Sequence, residues 1–231
     1  MDAGLISQGV IDSRPIQEIK PDEIKDYARC HFFAGIAGWD YALQLAGWPE
    51  DRPVWTASLP CQPFSVAGKR QGERDARHLW PVFYDLVKEC RPVTIFGEQV
   101  PTAIKNGWWD CVATDLENVD YTTGAICLPA FIVGAWQERY RLFWVATNNR
   151  REREQGVIAE ALSRQSTFPR GEDVRGVEDL RGRSDIPEPL VRRLNDGLRN
   201  GVAELHAYGN SIVPQVAAEF VRAFMEVSSN A

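Results

Sequence analysis

Short apolar runs alternate with amphipathic stretches over most of this chain. The apolar runs are rich in β-branched and aromatic residues and are bounded by turn residues, which is typical of buried strands. They predict strands at about 53–59, 93–96, 122–128 and 141–146, and a further strand at about 29–33 is placed before the turn at 34–38. Apolar positions spaced three and four apart predict helices at about 39–46, 78–90, 108–119 and 215–225. Strands and helices in alternation indicate an α/β fold with a mostly parallel sheet.

Residues 148–204 break this pattern. They show poor periodicity and contain many arginine, acidic, serine, glycine and proline residues, a composition typical of loops. We therefore predict one main domain, formed by residues 1–147 and 205–231, with a small loop-rich insertion at 148–204. This insertion is either a solvated surface segment held by salt bridges or an element that recognises the substrate.

Bulk composition excludes several classes of protein. The chain has 231 residues, of which 44% are hydrophobic, and a net charge of −6. These values fit a soluble globular protein and argue against a broadly basic surface. The five cysteines are scattered and include no C-x-x-C pair, so we predict reduced thiols and no metal site. The sequence has no apolar stretch of about 20 residues and no signal-peptide pattern, which predicts a cytoplasmic protein that does not enter a membrane.

Cys61 lies at the most distinctive position of the chain. It follows the apolar run 53–59 and stands between Pro60 and Pro63, which oppose both a continuing strand ladder and a helix. Ligands bind at the carboxyl ends of strands in open α/β sheets, so a thiol at this point is placed to attack a substrate. The alternative is that Cys61 is a small buried hydrophobic residue, as free cysteines often are.

Several motifs accompany this cysteine. A glycine turn, Ala34-Gly-Ile-Ala-Gly38, joins the first strand to the first helix and would let the backbone approach a ligand closely. The other motifs are Ser58-Leu-Pro-Cys-Gln-Pro-Phe-Ser65, Phe96-Gly-Glu-Gln-Val100, Gln137-Glu-Arg-Tyr-Arg141 and Tyr208-Gly-Asn-Ser211. In this order and at these spacings, they resemble the DNA (cytosine-5) methyltransferase family.

The resemblance implies a Rossmann-like fold that uses S-adenosylmethionine, with a reduced sheet. It implies methyl transfer to C5 of cytosine in double-stranded DNA, from which the base is flipped out. Cys61 would attack C6 of the base and Glu98 would donate a proton to N3. Arg141 would hold O2 of the base, and Arg139 would orient Glu98 or a phosphate. Burial would keep Glu98 protonated by raising its pKa.

The resemblance also implies two sets of binding residues. Contacts to S-adenosylmethionine are expected from Phe33, Gly35, Ile36, Gly38, Pro60, Asn210 and Ser211. Contacts to DNA are expected from Gln62, Ser65, Lys69, Arg70 and Gln137. The first four of these lie in the segment 61–77, which would close over the flipped base.

The chain departs from the family between the glycine turn and Pro60. Family members place two more strands there, with acidic residues that hold the cofactor, whereas here Glu50 and Asp51 are the only acidic candidates. Ala37 stands where the family has a glycine, and Gln99 stands where it has an asparagine. The departures indicate a compact member, similar to those of phages and prophages and to restriction-modification enzymes. They also leave room for a partner subunit or a homo-oligomer.

Three other interpretations stay open at this point. A catalytically weak or inactive relative that binds nucleic acid or a partner subunit would account for the missing strands and the acidic charge. A cysteine hydrolase would pair Cys61 with His78 or His206. The same methyl-transfer chemistry would also act on RNA.

Overall fold

The computed structural model describes residues 7–35, 37–60, 79–135, 139–165 and 212–229. In these ranges five strands form one sheet: β1 (Arg29–Phe32), β2 (Val54–Ala57), β3 (Thr94–Gln99), β4 (Thr122–Pro129) and β5 (Tyr140–Thr147). The α-helices are α1 (Pro21–Ile24), α2 (Gly38–Ala46), α3 (Trp80–Cys90), α4 (Thr102–Lys105), α5 (Trp108–Glu117), α6 (Arg150–Glu154), α7 (Val157–Gln165) and α8 (Pro214–Ser229). Short 3-10 helices lie at Ile16–Glu18 and Ala130–Val133.

The sheet is mostly parallel, as predicted. Its strand order is β1-β2-β3-β5-β4. β1, β2 and β3 pair in parallel, and β5 is antiparallel to both of its neighbours, β3 and β4. Four strands therefore run in one direction and β5 runs in the other. The antiparallel position of β5 brings its beginning next to the end of β3.

Two hydrophobic cores lie on opposite faces of the sheet, because successive side chains of a strand point to opposite sides. Phe96 of β3 and Phe143 of β5 belong to the core beneath α2, α7 and α8. Ile95 and Trp144 belong to the core beneath α3 and α5. The result is a three-layer arrangement with helices on both faces of the sheet.

The helix α8 packs against α2, the helix that follows the glycine turn. Its buried residues, which include Val216, Phe220 and Phe224, form one apolar side of the helix. α2 ends at Gly47, whose φ of 76° closes the helix in the left-handed conformation. None of the helices in the described ranges is both long and apolar enough to cross a membrane.

Residues 150–165 differ from the loop that their composition predicted, since they form α6 and α7. Val157, Ile158 and Ala161 of α7 are buried against the sheet. Gly124 of β4 makes room for this helix: a Cβ atom at Gly124 would lie 2.3 Å from Cγ2 of Ile158. α6 was missed because all of its residues are charged. α7 was missed because its short apolar stretch was averaged with the polar composition of the rest of 148–204.

A buried ion pair secures α6. Glu152 is nearly inaccessible, and its Oε1 accepts hydrogen bonds from Nη2 of Arg52 at 2.9 Å and from Oγ of Ser228 at 2.7 Å. Its Oε2 accepts a third from Oγ1 of Thr147 at 2.7 Å. The guanidinium of Arg52 also lies over the ring of Trp48, 4.2 Å from its centroid. This network ties α6, the start of β2 and the end of α8 together.

Candidate active site

The chain segments that carry the predicted site residues meet at one edge of the sheet. The parallel strands β1, β2 and β3 end there, and the antiparallel strand β5 begins there. In the β3–β5 ladder Glu98 pairs with Phe143 and Gln99 with Leu142. The glycine turn follows β1, and residues 58–60 follow β2. This is the edge at which open α/β sheets bind their ligands.

Glu98 contacts Arg141 at this edge. Nε of Arg141 lies 2.7 Å from Oε1 of Glu98, and the two side chains are 19% and 7% exposed. Because Glu98 pairs with Phe143, residues 141 and 139 lie on the same face of the sheet as Glu98 by the period of two along a strand. The spacing of Arg139 and Arg141 therefore directs two positive charges toward one buried carboxyl.

The surroundings of Glu98 change its acidity. Burial raises the pKa of this carboxyl, and the charges of Arg141 and Arg139 oppose the shift without cancelling it. Burial, together with the charge of Arg141, lowers the pKa of Arg139. A buried carboxyl that keeps its proton to higher pH than usual, beside cationic neighbours, can donate a proton to a bound molecule.

The raised pKa of Glu98 predicts how stability depends on pH. Folding favours its protonated form, so this form's contribution to stability is fully present below the unfolded pKa of glutamate, about 4.3. The contribution is lost as pH rises through the raised pKa of the folded chain. We expect the free energy of unfolding of the wild type, minus that of Glu98→Gln, to fall as pH rises. Urea unfolding of both proteins between pH 4 and pH 8 measures this difference, and a difference that rises with pH would contradict the assigned shift.

The turn between β1 and α2 has an unusual backbone. Phe33, Gly35 and Ala37 have φ angles of 55°, 56° and 63°, in the left-handed region that glycine adopts most readily. Ala37 thus occupies a glycine-like conformation at the position where the related family has a glycine. The side chain of Phe33 is 37% exposed, so an apolar ring borders the turn and is open to a ligand.

Gly38 closes the turn against the segment that leads into α8. A Cβ atom at Gly38 would lie 2.9 Å from Cγ1 of Ile212 and 3.8 Å from Cγ of Pro214. Ile212 directly follows Ser211 in the chain. The described chain that follows the predicted cofactor residues Asn210 and Ser211 therefore begins in contact with the glycine turn.

Hydrogen bonds from two sides hold the exit of β2. Nε1 of the buried Trp39 donates to Oγ of Ser58 at 2.9 Å, and the backbone N–H of Ser58 donates to the carbonyl of Phe32 at 3.1 Å. From the other side, Nε2 of Gln99 donates to the carbonyl of Leu59 at 2.8 Å. The contact between Trp39 and Ser58 was missed in the sequence, because it exists only once β2 pairs with β1 and α2 packs beside them.

Nine of the predicted site residues lie outside the part of the chain that the structure describes, and their contacts stay predictions: Ile36, Cys61, Gln62, Ser65, Lys69, Arg70, Gln137, Asn210 and Ser211. Pro60 is described and stands exposed at the end of the anchored exit of β2. The structure thus brings Glu98 and Arg141 together and places the chain leading to Cys61 at the same edge. Within the described ranges, no group of three or more His, Cys, Asp or Glu side chains could hold a metal ion.

The acidic candidates Glu50 and Asp51 do not reach this edge. Both are exposed in the turn before β2, which begins at Val54, so they lie at the opposite end of that strand. The acidic residue beside the glycine turn is the buried Asp40 of α2, which the sequence did not single out. Burial raises its pKa, but the interactions with His31 and with the backbone of Ser7 outweigh burial and lower it to about 2.

Comparisons with known proteins give the following similarities. Residues 47–212 match the family model described as C-5 cytosine-specific DNA methylase. Type II methyltransferase M.HhaI of Haemophilus parahaemolyticus is 31% identical, covering 57% of this chain and 52% of that protein. Type II methyltransferase M.AplI of Arthrospira platensis is 36% identical, covering 38% and 26%. The crystal structure of the S. pombe Dnmt2 methyltransferase aligns with a TM-score of 0.45 at 16% identity, covering 78% and 66%. The chain spans about half or less of the length of these curated relatives.

Proposed function

This chain belongs to the C-5 cytosine-specific DNA methylase family, and we propose that it transfers a methyl group from S-adenosylmethionine to C5 of cytosine in double-stranded DNA. The observation that carries the proposal is the buried carboxyl of Glu98. It contacts Arg141, has a raised pKa and lies at the same sheet edge as the glycine turn. A proton donor beside a cation is what the activation of a cytosine ring requires.

The proposed reaction begins with the thiolate of Cys61. Its sulfur forms a bond to C6 of the flipped cytosine, and the electrons displaced from the ring are stabilised because Glu98 gives its proton to N3. C5 then carries the electron pair that takes the methyl group. The bond between the methyl group and the donor sulfur would break as the bond to C5 forms, so that S-adenosylhomocysteine leaves. Solvent water would then take the proton from C5, and the electrons of that C–H bond would form the C5–C6 double bond as the sulfur departs from C6. This restores the ring and releases Cys61, while N3 returns its proton to Glu98.

The two arginines support this step by charge and position. Arg141 lies beside Glu98, and its planar guanidinium would hold the O2 atom of the base there. Arg139 would orient Glu98 or a phosphate of the backbone. DNA contacts by Gln62, Ser65, Lys69, Arg70 and Gln137 remain part of the proposal.

The glycine turn fits a nucleoside cofactor. Its backbone is left-handed at Phe33, Gly35 and Ala37, directly after β1, and the ring of Phe33 is exposed there. In open α/β sheets ligands bind at this end of the strands. Phe33, Gly35, Gly38 and Pro60 are the described residues that would hold S-adenosylmethionine. When bound, this cofactor supplies an electrophilic methyl group.

The replacement Cys61→Ser tests the proposal. Without the thiolate, transfer of labelled methyl groups from S-adenosylmethionine to DNA is expected to fall by about 1000-fold or more. Cys111→Ser, which changes an exposed cysteine of α5, is the matched control and should keep the wild-type rate. Unchanged transfer by Cys61→Ser would overturn the covalent mechanism. No transfer by the wild type to DNA of any composition would overturn the function, and transfer to RNA alone would change the substrate.

A second candidate function is a weak or inactive relative that binds nucleic acid or a partner subunit. It is favoured by the direct passage from α2 to β2, which leaves Glu50 and Asp51 at the wrong end of the strand for a cofactor contact. Titration calorimetry with S-adenosylmethionine separates the two functions. A micromolar Kd supports the enzyme, whereas DNA binding without detectable cofactor binding supports the inactive relative.

A further inference from the structure

We propose that the hydrogen bond between Trp39 and Ser58 is a positioning link, which fixes the chain before Cys61 relative to the glycine turn. This inference rests on the proposed function, because the link matters for catalysis only if Cys61 is the nucleophile. Trp39 directly follows Gly38 of the glycine turn, and Ser58 stands three residues before Cys61. The bond therefore connects the expected cofactor site with the expected nucleophile.

The geometry of the link is well defined. Trp39 is fully buried, and its Nε1 donates to Oγ of Ser58 at 2.9 Å. The backbone of Ser58 is held as well, because its N–H donates to the carbonyl of Phe32 at 3.1 Å. Burial restrains the donor and the backbone bond restrains the acceptor, so the link fixes Ser58 relative to the first turn of α2.

Trp39 also reaches the strand that carries the arginines. Its ring meets the ring of Phe143 edge to face, with 6.3 Å between centroids, and Phe143 pairs with Glu98 in the β3–β5 ladder. One side chain thus contacts the exit of β2 and the β5 residue opposite the candidate acid. A shift of this indole would move Ser58 and the chain that leads to Cys61 relative to Glu98.

Gln99 secures the next residue from the opposite side. Its Nε2 donates to the carbonyl of Leu59, and its Oε1 accepts from the backbone N–H of Val100 at 2.9 Å. Ser58 and Leu59 are consecutive, so hydrogen bonds from α2 on one side and from β3 on the other hold the chain just before Cys61. Gln99 directly follows Glu98, so the hydrogen bond to Leu59 also connects this part of the chain to the candidate acid.

The test uses Trp39→Phe, which keeps an aromatic ring and removes the N–H donor, and Ser58→Ala, which removes the acceptor. Trp48→Phe is the matched control. Trp48 belongs to the same core and also donates through Nε1 at 2.9 Å, but its acceptor is the carbonyl of Arg52, before β2 begins. Both proteins with a broken link should show kcat for methyl transfer lowered about 10-fold, since small misplacements of a reacting group are costly. KM for DNA should stay unchanged, and Trp48→Phe should keep the wild-type kcat.

Two further measurements separate positioning from a general loss of stability. The double variant Trp39→Phe/Ser58→Ala should be no slower than either single variant, because both remove one bond. Ser58→Thr, which retains the hydroxyl, should restore kcat. If Trp39→Phe keeps the wild-type kcat, or if Trp48→Phe loses as much activity, the link does not position the nucleophile. An inactive wild type would instead defeat the proposed function, so the two failures are distinguishable.

Discussion

Glu98→Gln is expected to lower methyl transfer to DNA by about 100-fold or more. The amide has nearly the shape of the protonated carboxyl, but its N–H groups cannot give up a proton to N3 of the base. Glu98 is buried, its pKa is raised, and Arg141 contacts it. Because the amide keeps the shape of the side chain, the lower rate would reflect the loss of the proton donor. The rate is measured with labelled S-adenosylmethionine under single-turnover conditions.

The control for this replacement is Glu89→Gln, which changes an exposed glutamate of α3 and should leave the rate unaltered. A second control measures unfolding of Glu98→Gln by urea at neutral pH, where the variant is expected to remain folded. A Glu98→Gln protein that is folded and transfers methyl groups at the wild-type rate would show that the carboxyl is not the acid.

The second large effect concerns folding. Gly97→Ala is expected to lower the free energy of unfolding by about 3–5 kcal/mol. A Cβ atom at Gly97 would lie 1.9 Å from Cε2 of Trp144 and 2.1 Å from its Cζ2. Gly97 and Trp144 are directly opposite in the β3–β5 ladder, and Trp144 is fully buried. Because the ring is fully buried, either the indole or the two strands would have to move next to Glu98 to admit the methyl group.

Urea unfolding of Gly97→Ala and of Gly9→Ala measures this effect. Gly9 has nothing within 4 Å of a built Cβ and no left-handed φ, so Gly9→Ala should change the free energy of unfolding by less than about 0.5 kcal/mol. In a Trp144→Leu background, Gly97→Ala should cost less than it does in the wild type, because the smaller side chain leaves room for a methyl group. An equal cost in both backgrounds would show that the indole is not the obstacle.

The parts of the fold that were predicted from the sequence are those with local patterns. The strand β2 and the first half of β3 are short apolar runs, and the C-terminal helix has one continuous apolar side, so a local pattern predicts each of them. The proximity of Glu98 and Arg141 was expected from the family motifs, and the antiparallel register of β5 supplies its physical cause.

Other features were hidden because they depend on distant partners. The sequence Arg150-Arg-Glu-Arg-Glu154 has the composition of a solvated surface, yet Glu152 is buried by contact with Arg52 and Ser228. Likewise, nothing in the local sequence shows that the indole of Trp39 meets the hydroxyl of Ser58. Pairings of this kind are set by the folded topology, and no periodicity of one segment can reveal them.

The strand order has a final consequence for how the molecule opens. Among the strands that the structure describes, β1 and β4 lie at the two ends of the order, whereas β3 is flanked on both sides by other strands and covered on both faces. Thermal fraying begins where a backbone lacks a neighbour and proceeds inward. Glu98 therefore lies on one of the last strands that such fluctuations reach. We expect it to stay shielded from water when the strands at either end of the sheet open.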